Sequence, residues 1–330
     1  LADVASKVQG EFNKKGIKEL YSQLMSMSRK LQYQRLVESG ALGRLPFIQI
    51  DSLDKENARV VFQGTEGAYG QAAMNQFFGE DVNCFHVRTF RDAMEAIEEG
   101  SADFAVLPIE NSSAGPVNEM YDLLDEFENY IVAETILPVV HTLSGLPGTK
   151  LSEIKRVYSK AEALMQTTRF LDDHSDWQRI SVVNTAIAAK KVQEDQDKAQ
   201  AAVCSTYAAK LHGLEVLVDE INDEEDNSTR FIVVTNQKIF LKDASKISIE
   251  FELPHESGSL YNILSHFIYN DLNMTKIESR PVEGKQWEYR FFVDFDGNLE
   301  DAAVKNAIRG LREEARNLRI LGNYSIDGQI

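Results

Sequence analysis

The sequence predicts an α/β protein: doubly wound sheets, with a helical segment in front and a small βαββαβ unit behind. Three observations carry this. From Arg59 to about residue 220, strand-like apolar runs alternate with helix-spaced segments, the pattern of parallel sheets covered by helices. One of those runs, "DFAVLPI" (103–109), is apolar almost without a break, as in a strand covered on both sides. From about residue 246 the order becomes strand, helix, strand, strand, helix, strand.

In chain order, residues 1–38 read as helix, because Ile17, Leu20, Tyr21, Leu24, Met27, Ser28 and Leu31 follow the i, i+3, i+4, i+7 seam. "NKKG" (13–16) predicts a turn to an earlier helical piece, and the segment opens on an apolar residue without a cap, as though an upstream part were missing. "ESGALGRLPF" (38–47) and "DSLDKEN" (51–57) read as linker. "RVVFQG" is a strand ending in a Gly turn, followed by the helical "YGQAAMNQFF". "FRDAMEAIEEG" sets Phe90, Ala93, Met94 and Ile97 on one face and stops at Gly100. "PVNEMYDLLDEF" places Pro116 in a first helical turn, with Val117, Met120 and Leu124 as the buried face. The alternation runs on through "RISVVNTAIAAKKV" and "AAVCSTYAAKLHGLEVL". The last unit comprises "KISIEFEL", "SGSLYNILSHFIYNDL", "TKIESRP", "WEYRFFVDF", "AAVKNAIRGLREEA" and a strand near 319–326.

Bulk properties narrow the function. At 330 residues, 43% hydrophobic and 26% charged, the chain is globular and long enough for two or three domains. A net charge of −17 argues against nucleic-acid binding. "DEINDEED" (219–226), six of eight residues acidic, reads as a solvated loop. Cys84 and Cys204 lack C-x-x-C spacing, no run approaches about 18 apolar residues, and no signal-like core opens the chain. A reduced, cytoplasmic protein without membrane contact is expected.

Four strand-to-helix turns carry hydroxyls: Ser112/Ser113, Ser159, Thr185 and Ser205/Thr206. Each alone reads as an N-cap. Facing one crevice at the carboxyl ends of strands, such turns would hold a small carboxylate without a basic cluster. The six histidines are scattered and form no H-E-x-x-H pair. There is no G-x-S-x-G elbow, and "GTEGAYG" (64–70) lacks both the spacing and the Lys of a P-loop. Metal, nucleotide and covalent-nucleophile mechanisms thus lack support, and no cofactor is expected. In "NSTRFIVV" (227–234), residues 231–234 form a strand whose start carries Thr229 and Arg230 on opposite faces.

Five stretches, "VLPIENSSAG", "YSKAEALMQTTRFL", "VNTAIAAKKV", "DNSTRFIVV" and "LNMTKIESRP", resemble, in that order, prephenate dehydratase followed by its regulatory ACT domain. The resemblance covers about residues 59–330. Residues 11–36, with "IKELYSQLMSMSRKLQ", are similar to the last helix of an AroQ-type chorismate mutase, and Ser28 and Gln32 match its substrate-contacting Ser and Gln. The chain thus resembles the bifunctional chorismate mutase–prephenate dehydratase family with its first mutase helix missing. No mutase activity is expected without that helix's Arg and Lys.

The resemblance implies partial mutase helices and linker over 1–57, a catalytic region over 58–240 and an ACT domain over 241–330. The catalytic region would have two lobes like a periplasmic binding protein: 58–138 with 217–240, and 139–216. The chain would cross at "TILPVVH" (135–141) and return near "VLVDEI" (216–221). The implied reaction turns prephenate into phenylpyruvate, losing CO2 and water, under inhibition by phenylalanine and with no cofactor or metal. Gain of aromaticity drives it, so positioning and aimed hydrogen bonds suffice.

By the same resemblance Thr229 is the proton donor to the leaving hydroxyl. Asn111, Ser112, Ser159, Gln166 and Thr185 bind the substrate's carboxylates and carbonyl, and Glu110 orients them. Arg230 either anchors a carboxylate from behind or fixes the Thr229 turn. The turn "GTEGAYGQAA" departs from the family's Pro at 65, Thr at 68 and Ser at 70, which leaves Gly64, Gly67 and Tyr69. Asn184 stands where Ser is common. The effector site implied is Gly258, Ser259, Leu260, Asn273, Glu278, Ser279, Arg280 and Pro281, between protomers of a dimer or tetramer; Tyr261 is larger than the family residue. Arogenate dehydratase and a catalytically silent amino-acid sensor are the alternatives, the intact "STRF" speaking against the second.

Overall fold

The computed structural model describes residues 1–38, 45–224, 226–253, 255–282 and 284–326. Residues 39–44 of the expected linker, and Glu225 of the acidic run, lie outside the described residues. The chain opens with α1 (Ala2–Ser6), α2 (Glu11–Glu38) and the short β1 (Ile48–Ile50). The break between the helices falls at 7–10, not at the "NKKG" turn expected at 13–16. Gly10, immediately before α2, takes φ +85° and so keeps the two helices from being continuous, whereas Gly16 stays helical inside α2.

Next come β2 (Arg59–Gln63), α3 (Tyr69–Phe78), β3 (Asn83–Val87), α4 (Phe90–Glu98), β4 (Phe104–Asn111), β5 (Gly115–Pro116), α5 (Asn118–Glu126) and β6 (Tyr130–Pro138). They are followed by β7 (Thr142–Gly145), β8 (Arg156–Ser159), α6 (Ala161–Met165), α7 (Thr168–Asp172), β9 (Gln178–Ser181), α8 (Thr185–Asp195), β10 (Gln200–Cys204), α9 (Thr206–Leu211), β11 (Glu215–Val218) and β12 (Ser228–Thr235). Pro116 does not open the helix as expected. It pairs with Glu110 in a short β-ladder, and α5 starts two residues later.

The described residues of 51–237, with Ser325 and Ile326, form one compact unit containing two sheets. The first has the order β6-β12-β4-β2-β3 and the second β11-β7-β10-β8-β9. Neither is wholly parallel, which corrects the doubly wound parallel expectation. β2 runs parallel to β3 and β4, and β8 to β9 and β10, but β12 is antiparallel to β4 and β6, and β7 to β10 and β11. The cause is topological. A βαβ crossover keeps its two strands parallel; β4-α5-β6 and β10-α9-β11 each do so and leave a slot between them. The strand filling each slot arrives from the other sheet, and enters reversed.

The cores follow from strand alternation. In the second sheet Val157, Ala201 and Val203 pack on one face with Leu143 and Trp177. Tyr158, Ala202 and Cys204 pack on the other against Ala188 and Ala189 of α8. The two connections between the sheets lie side by side: Ile221 N donates to His141 O at 3.0 Å, and Val139 N to Asn227 O at 2.8 Å.

The second compact unit joins residues 1–50 with 238–324. After β13 (Ile239–Leu241), which pairs in parallel with β1, come β14 (Lys246–Glu252), α10 (Ser259–Ile268), β15 (Met274–Pro281), β16 (Tyr289–Asp296), α11 (Ala302–Glu314) and β17 (Arg316–Tyr324). This is a βαββαβ arrangement, its strands ordered β15-β16-β14-β17 and all antiparallel to their neighbours. Ile247, Ile249 and Phe251 face Ile263 and Phe267 of α10 and Val304 and Ile308 of α11. The alternate residues Ser248, Glu250 and Glu252 are buried as well, and Glu252 takes Arg290 Nη2 at 2.6 Å and Lys285 Nζ at 2.9 Å. Among the described residues no helix is long and apolar enough to cross a membrane.

Candidate functional site

The register of β4 and β12 sets Thr229 opposite Asn111 and Arg230 opposite Glu110, with a bulge after Arg230. Successive strand residues face opposite ways, so Asn111 and Thr229 share one face, and Glu110 and Arg230 the other. Asn111 Nδ2 donates to Thr229 Oγ1 and to Asn227 Oδ1, both at 2.9 Å, with Ser228 O at 3.1 Å. Asn111 Oδ1 accepts from the backbone N–H groups of Ser113 (3.0 Å) and Ala114 (2.9 Å). A backbone N–H can only donate, so the amide's orientation is determined. Thr229 Oγ1 therefore accepts from Asn111, and its own proton is left to be given elsewhere.

Behind the strand, Arg230 reaches both oxygens of the buried Glu134, at 3.1 Å from Nε and 2.7 Å from Nη2. Its Nη1 donates to Glu110 Oε2 at 2.7 Å. Glu110 thus turns toward Arg230, on the face opposite Asn111, instead of orienting the Asn111 and Ser112 donors.

The remaining hydroxyls mostly do not cap helices. Ser112 Oγ donates to Asp226 O and accepts from Ser228 N, both at 2.9 Å, tying the turn to the start of β12. Ser113 Oγ donates to Glu224 Oε2 at 3.1 Å. Ser159 is fully buried and donates to Val203 O at 2.6 Å. Thr185 is the first residue of α8, whose cap is Asn184, accepting from Ile187 N at 2.7 Å. Of the four turns only Ser205 caps, accepting from Ala208 N at 3.1 Å. Ser112, Ser113 and Ser159 stand at or just beyond strand ends, where their hydroxyls bond to a neighbouring strand or turn instead.

The Gly-rich turn leans on α8 and α9. Gly67 takes φ +84°, and a Cβ there would stand 3.2 Å from Leu211 Cδ2 and 3.4 Å from Ala186 Cβ. At Gly70 a Cβ would meet Gln63 O at 2.9 Å, so this backbone has no room for the family's Ser. Tyr69 reaches across to the crossing segment: its Oη donates to Val140 O at 2.9 Å and lies 3.2 Å from His141 Nδ1.

A cavity of about 270 Å³ is bordered by Ser113, Met165, Gln166, Asn222, Asn227 and the acidic residues Glu162, Asp223 and Glu224. Gln166 Oε1 lies 3.0 Å from His141 Nε2 and accepts from Asn227 Nδ2 at 3.2 Å. Burial holds the His141 imidazole below its ordinary pKa, an effect the Gln166 contact partly offsets. Asp219, Glu220, Glu224 and Asp226 of the acidic run are exposed, as a solvated loop requires, but its middle is anchored. Ile221 is buried, and Asn222 clasps the crossing segment by accepting from His141 N (2.6 Å) and donating to Val139 O (2.8 Å). Asp223 accepts from the N–H groups of Thr168 and Arg169, each at 2.9 Å. Sequence reasoning passed over His141, Asn222 and Asn227; the adjacency of Asn227 to "STRF" was the one signal available.

In the other unit, a cavity of about 390 Å³ is lined by Leu253, His255, Ser259, Leu260, Trp287 and Tyr289, among others. Gly258 precedes α10 with φ +90°. Glu278, Ser279, Arg280 and Pro281 lie on β15 and do not line that cavity; nor does Asn273, whose Nδ2 donates to Asp296 Oδ2 at 2.8 Å. Ser28 and Gln32 are exposed on α2.

Residues 60–239 match the family model described as prephenate dehydratase. A bifunctional chorismate mutase/prephenate dehydratase of Stutzerimonas stutzeri is 34% identical over 267 residues, 81% of this chain and 73% of that protein. An arogenate dehydratase/prephenate dehydratase of Arabidopsis thaliana, chloroplastic, is 34% identical over 324 residues, 94% of this chain and 81% of that one. The crystal structure of prephenate dehydratase from Arthrobacter aurescens in complex with L-Phe superposes with a TM-score of 0.75. It is 32% identical, covering 81% of this chain and 89% of that one.

Proposed function

Because this chain belongs to the prephenate dehydratase family, a family of lyases, we propose that the Asn111–Thr229 pair performs its elimination. Prephenate gives phenylpyruvate when the bond to the ring carboxylate breaks, its electron pair enters the ring, and the C4 hydroxyl departs; CO2 and water are the other products. Aromaticity supplies the driving force. The protein has to bind a dianion, orient it and stabilise the departing oxygen. A threonine hydroxyl is a very weak acid, so Thr229 acts as an aimed hydrogen-bond donor or relay to that oxygen. The observation that carries this is the 2.9 Å bond from Asn111 Nδ2 to Thr229 Oγ1, which leaves the Thr229 proton free for the substrate.

Gln166, which borders the cavity, is the group we assign to the substrate's oxygens, with Thr185 at the head of α8, while Asn111, whose amide hydrogens go to Thr229 and Asn227, acts through Thr229. Ser112 and Ser159, whose hydroxyls donate to backbone carbonyls, shape the turns beside the site. Arg230, bonded to two carboxylates, fixes the Thr229 turn. The region is read as two lobes, about 58–138 with 217–240 and 139–216, like a periplasmic binding protein. The side-by-side connections between its two sheets support that reading. Measuring phenylpyruvate formed from prephenate, with and without phenylalanine, tests the whole proposal; a chain that turns over neither prephenate nor arogenate refutes it.

The carboxylates of Glu162, Asp223 and Glu224 beside the cavity favour a second reading, arogenate, whose ammonium replaces the keto group. Comparing kcat/KM for the two substrates decides between them. For residues 241–330 we propose an ACT domain that binds phenylalanine near Gly258, Ser259 and Leu260 and joins protomers into a dimer or tetramer. Its βαββαβ order and the cavity at Ser259 and Leu260 support this. Asn273, Glu278, Ser279, Arg280 and Pro281 complete the effector site from the edge strand β15 and the turn before it. Residues 11–36 are read as a mutase-type helix that carries Ser28 and Gln32. The free Cys84 and Cys204 agree with a cytoplasmic place.

A further inference from the structure

One hydrogen-bond chain in the larger unit has its polarity determined from Asn111 through Asn227 and Gln166 to His141. Ser113 N and Ala114 N make Asn111 Oδ1 an acceptor, so Asn111 Nδ2 faces Asn227 Oδ1. Asn227 must then present its Nδ2 to Gln166 Oε1. His141 Nε2, 3.0 Å from that oxygen, has to carry a proton, which in the neutral ring leaves Nδ1 unprotonated 3.2 Å from Tyr69 Oη, whose single proton lies between Val140 O and Nδ1. With two donors on Oε1, the Gln166 carboxamide is held from flipping, and Gln166 borders the cavity.

We propose that His141, backed by Tyr69, is a positioning residue that aims the Gln166 carboxamide at the oxygens of the bound substrate. This rests on the reading of Gln166 as a substrate contact. The imidazole is separable from the connection it sits in, because His141 bonds Asn222 and Ile221 through its backbone N and O, which any substitution keeps. Its side chain does one identifiable thing, which is to hold Tyr69 and Gln166 together across the crossing segment.

The test is a double-mutant cycle on the full chain with prephenate, in which kcat, KM and melting temperature are measured. His141→Leu is expected to raise KM about tenfold, the loss of one well-placed hydrogen bond, with a smaller change in kcat. His141→Gln, which returns a donor near the Nε2 position, is expected to restore most of it. In a Gln166→Leu background His141→Leu should change KM less than about twofold, because the group it aims is already gone. Equal effects of His141→Leu in both backgrounds overturn the proposal while leaving Gln166 as a contact. A Gln166→Leu variant with unchanged KM and kcat overturns that contact and this proposal with it. Should His141→Leu fail to fold, His141→Asn, whose shorter amide places no donor at Nε2, serves the same comparison.

Discussion

Arg230 holds both oxygens of Glu134, whose side chain is 1% exposed, one strand away from Thr229. The pair ties β12 to β6 at the point where β12 presents its hydroxyl on the opposite face. Glu134→Ala would leave a guanidinium largely out of water with one carboxylate fewer. A loss of about 3 kcal/mol in unfolding free energy is expected, read by urea titration. A loss below about 1 kcal/mol would mean that the ion pair does not brace this strand.

Asn111→Asp is nearly isosteric and reverses one polarity. A carboxylate still accepts from Ser113 N and Ala114 N, but it draws the Thr229 proton toward itself instead of donating to Oγ1. We expect kcat to fall about 100-fold, the scale of one lost transition-state donor, with melting temperature near that of the parent. Steady-state turnover of prephenate checks it, and an unaltered kcat would remove Asn111 from the mechanism.

Glu224 accepts from Ser113 Oγ at the edge of the cavity. Replacing it by Gln keeps the shape and removes a negative charge. The ratio of kcat/KM for arogenate to that for prephenate should drop roughly fivefold, matching about 1 kcal/mol for a partly exposed charge. A ratio that does not move would mean that this carboxylate takes no part in substrate choice.

Glu250 carries a pH dependence. Burial, with Glu252 nearby, raises its carboxyl to about 7, although Arg319 opposes the shift. In the unfolded chain it ionises near the ordinary value, so between about pH 4.5 and 7 the folded state holds more protons than the unfolded state. Stability from this group is complete below that window and is lost as pH rises through it, by an amount on the order of 3 kcal/mol. Glu250→Gln should flatten the difference in unfolding free energy between pH 5 and pH 8; an undiminished difference would assign it to other groups.

Much of this architecture was legible in the residues. Alternating apolar runs located most strands and helices, and ordered motifs located Asn111, Gln166 and Thr229. The direction of β7 and β12 was not legible, because periodicity records which face is buried and says nothing about which strand lies alongside. Ser159 shows a second limit: a hydroxyl before a helix suits a cap, and only the placement of β10 reveals that it donates sideways to Val203 O. His141 shows a third. Its partners Tyr69, Gln166 and Asn222 lie 72, 25 and 81 residues away along the chain, so no local pattern could single it out. The anchoring of the acidic run's middle was hidden for the same reason: Asn222 and Asp223 bond to segments far off in sequence.

The central claim is tested most directly by single-turnover rates of Thr229→Ala and Thr229→Ser with saturating prephenate. Loss of about 100-fold or more in Thr229→Ala, with substantial recovery in Thr229→Ser and substrate affinity nearly intact, is the predicted result. A Thr229→Ala enzyme that forms phenylpyruvate at close to the parent rate would contradict it.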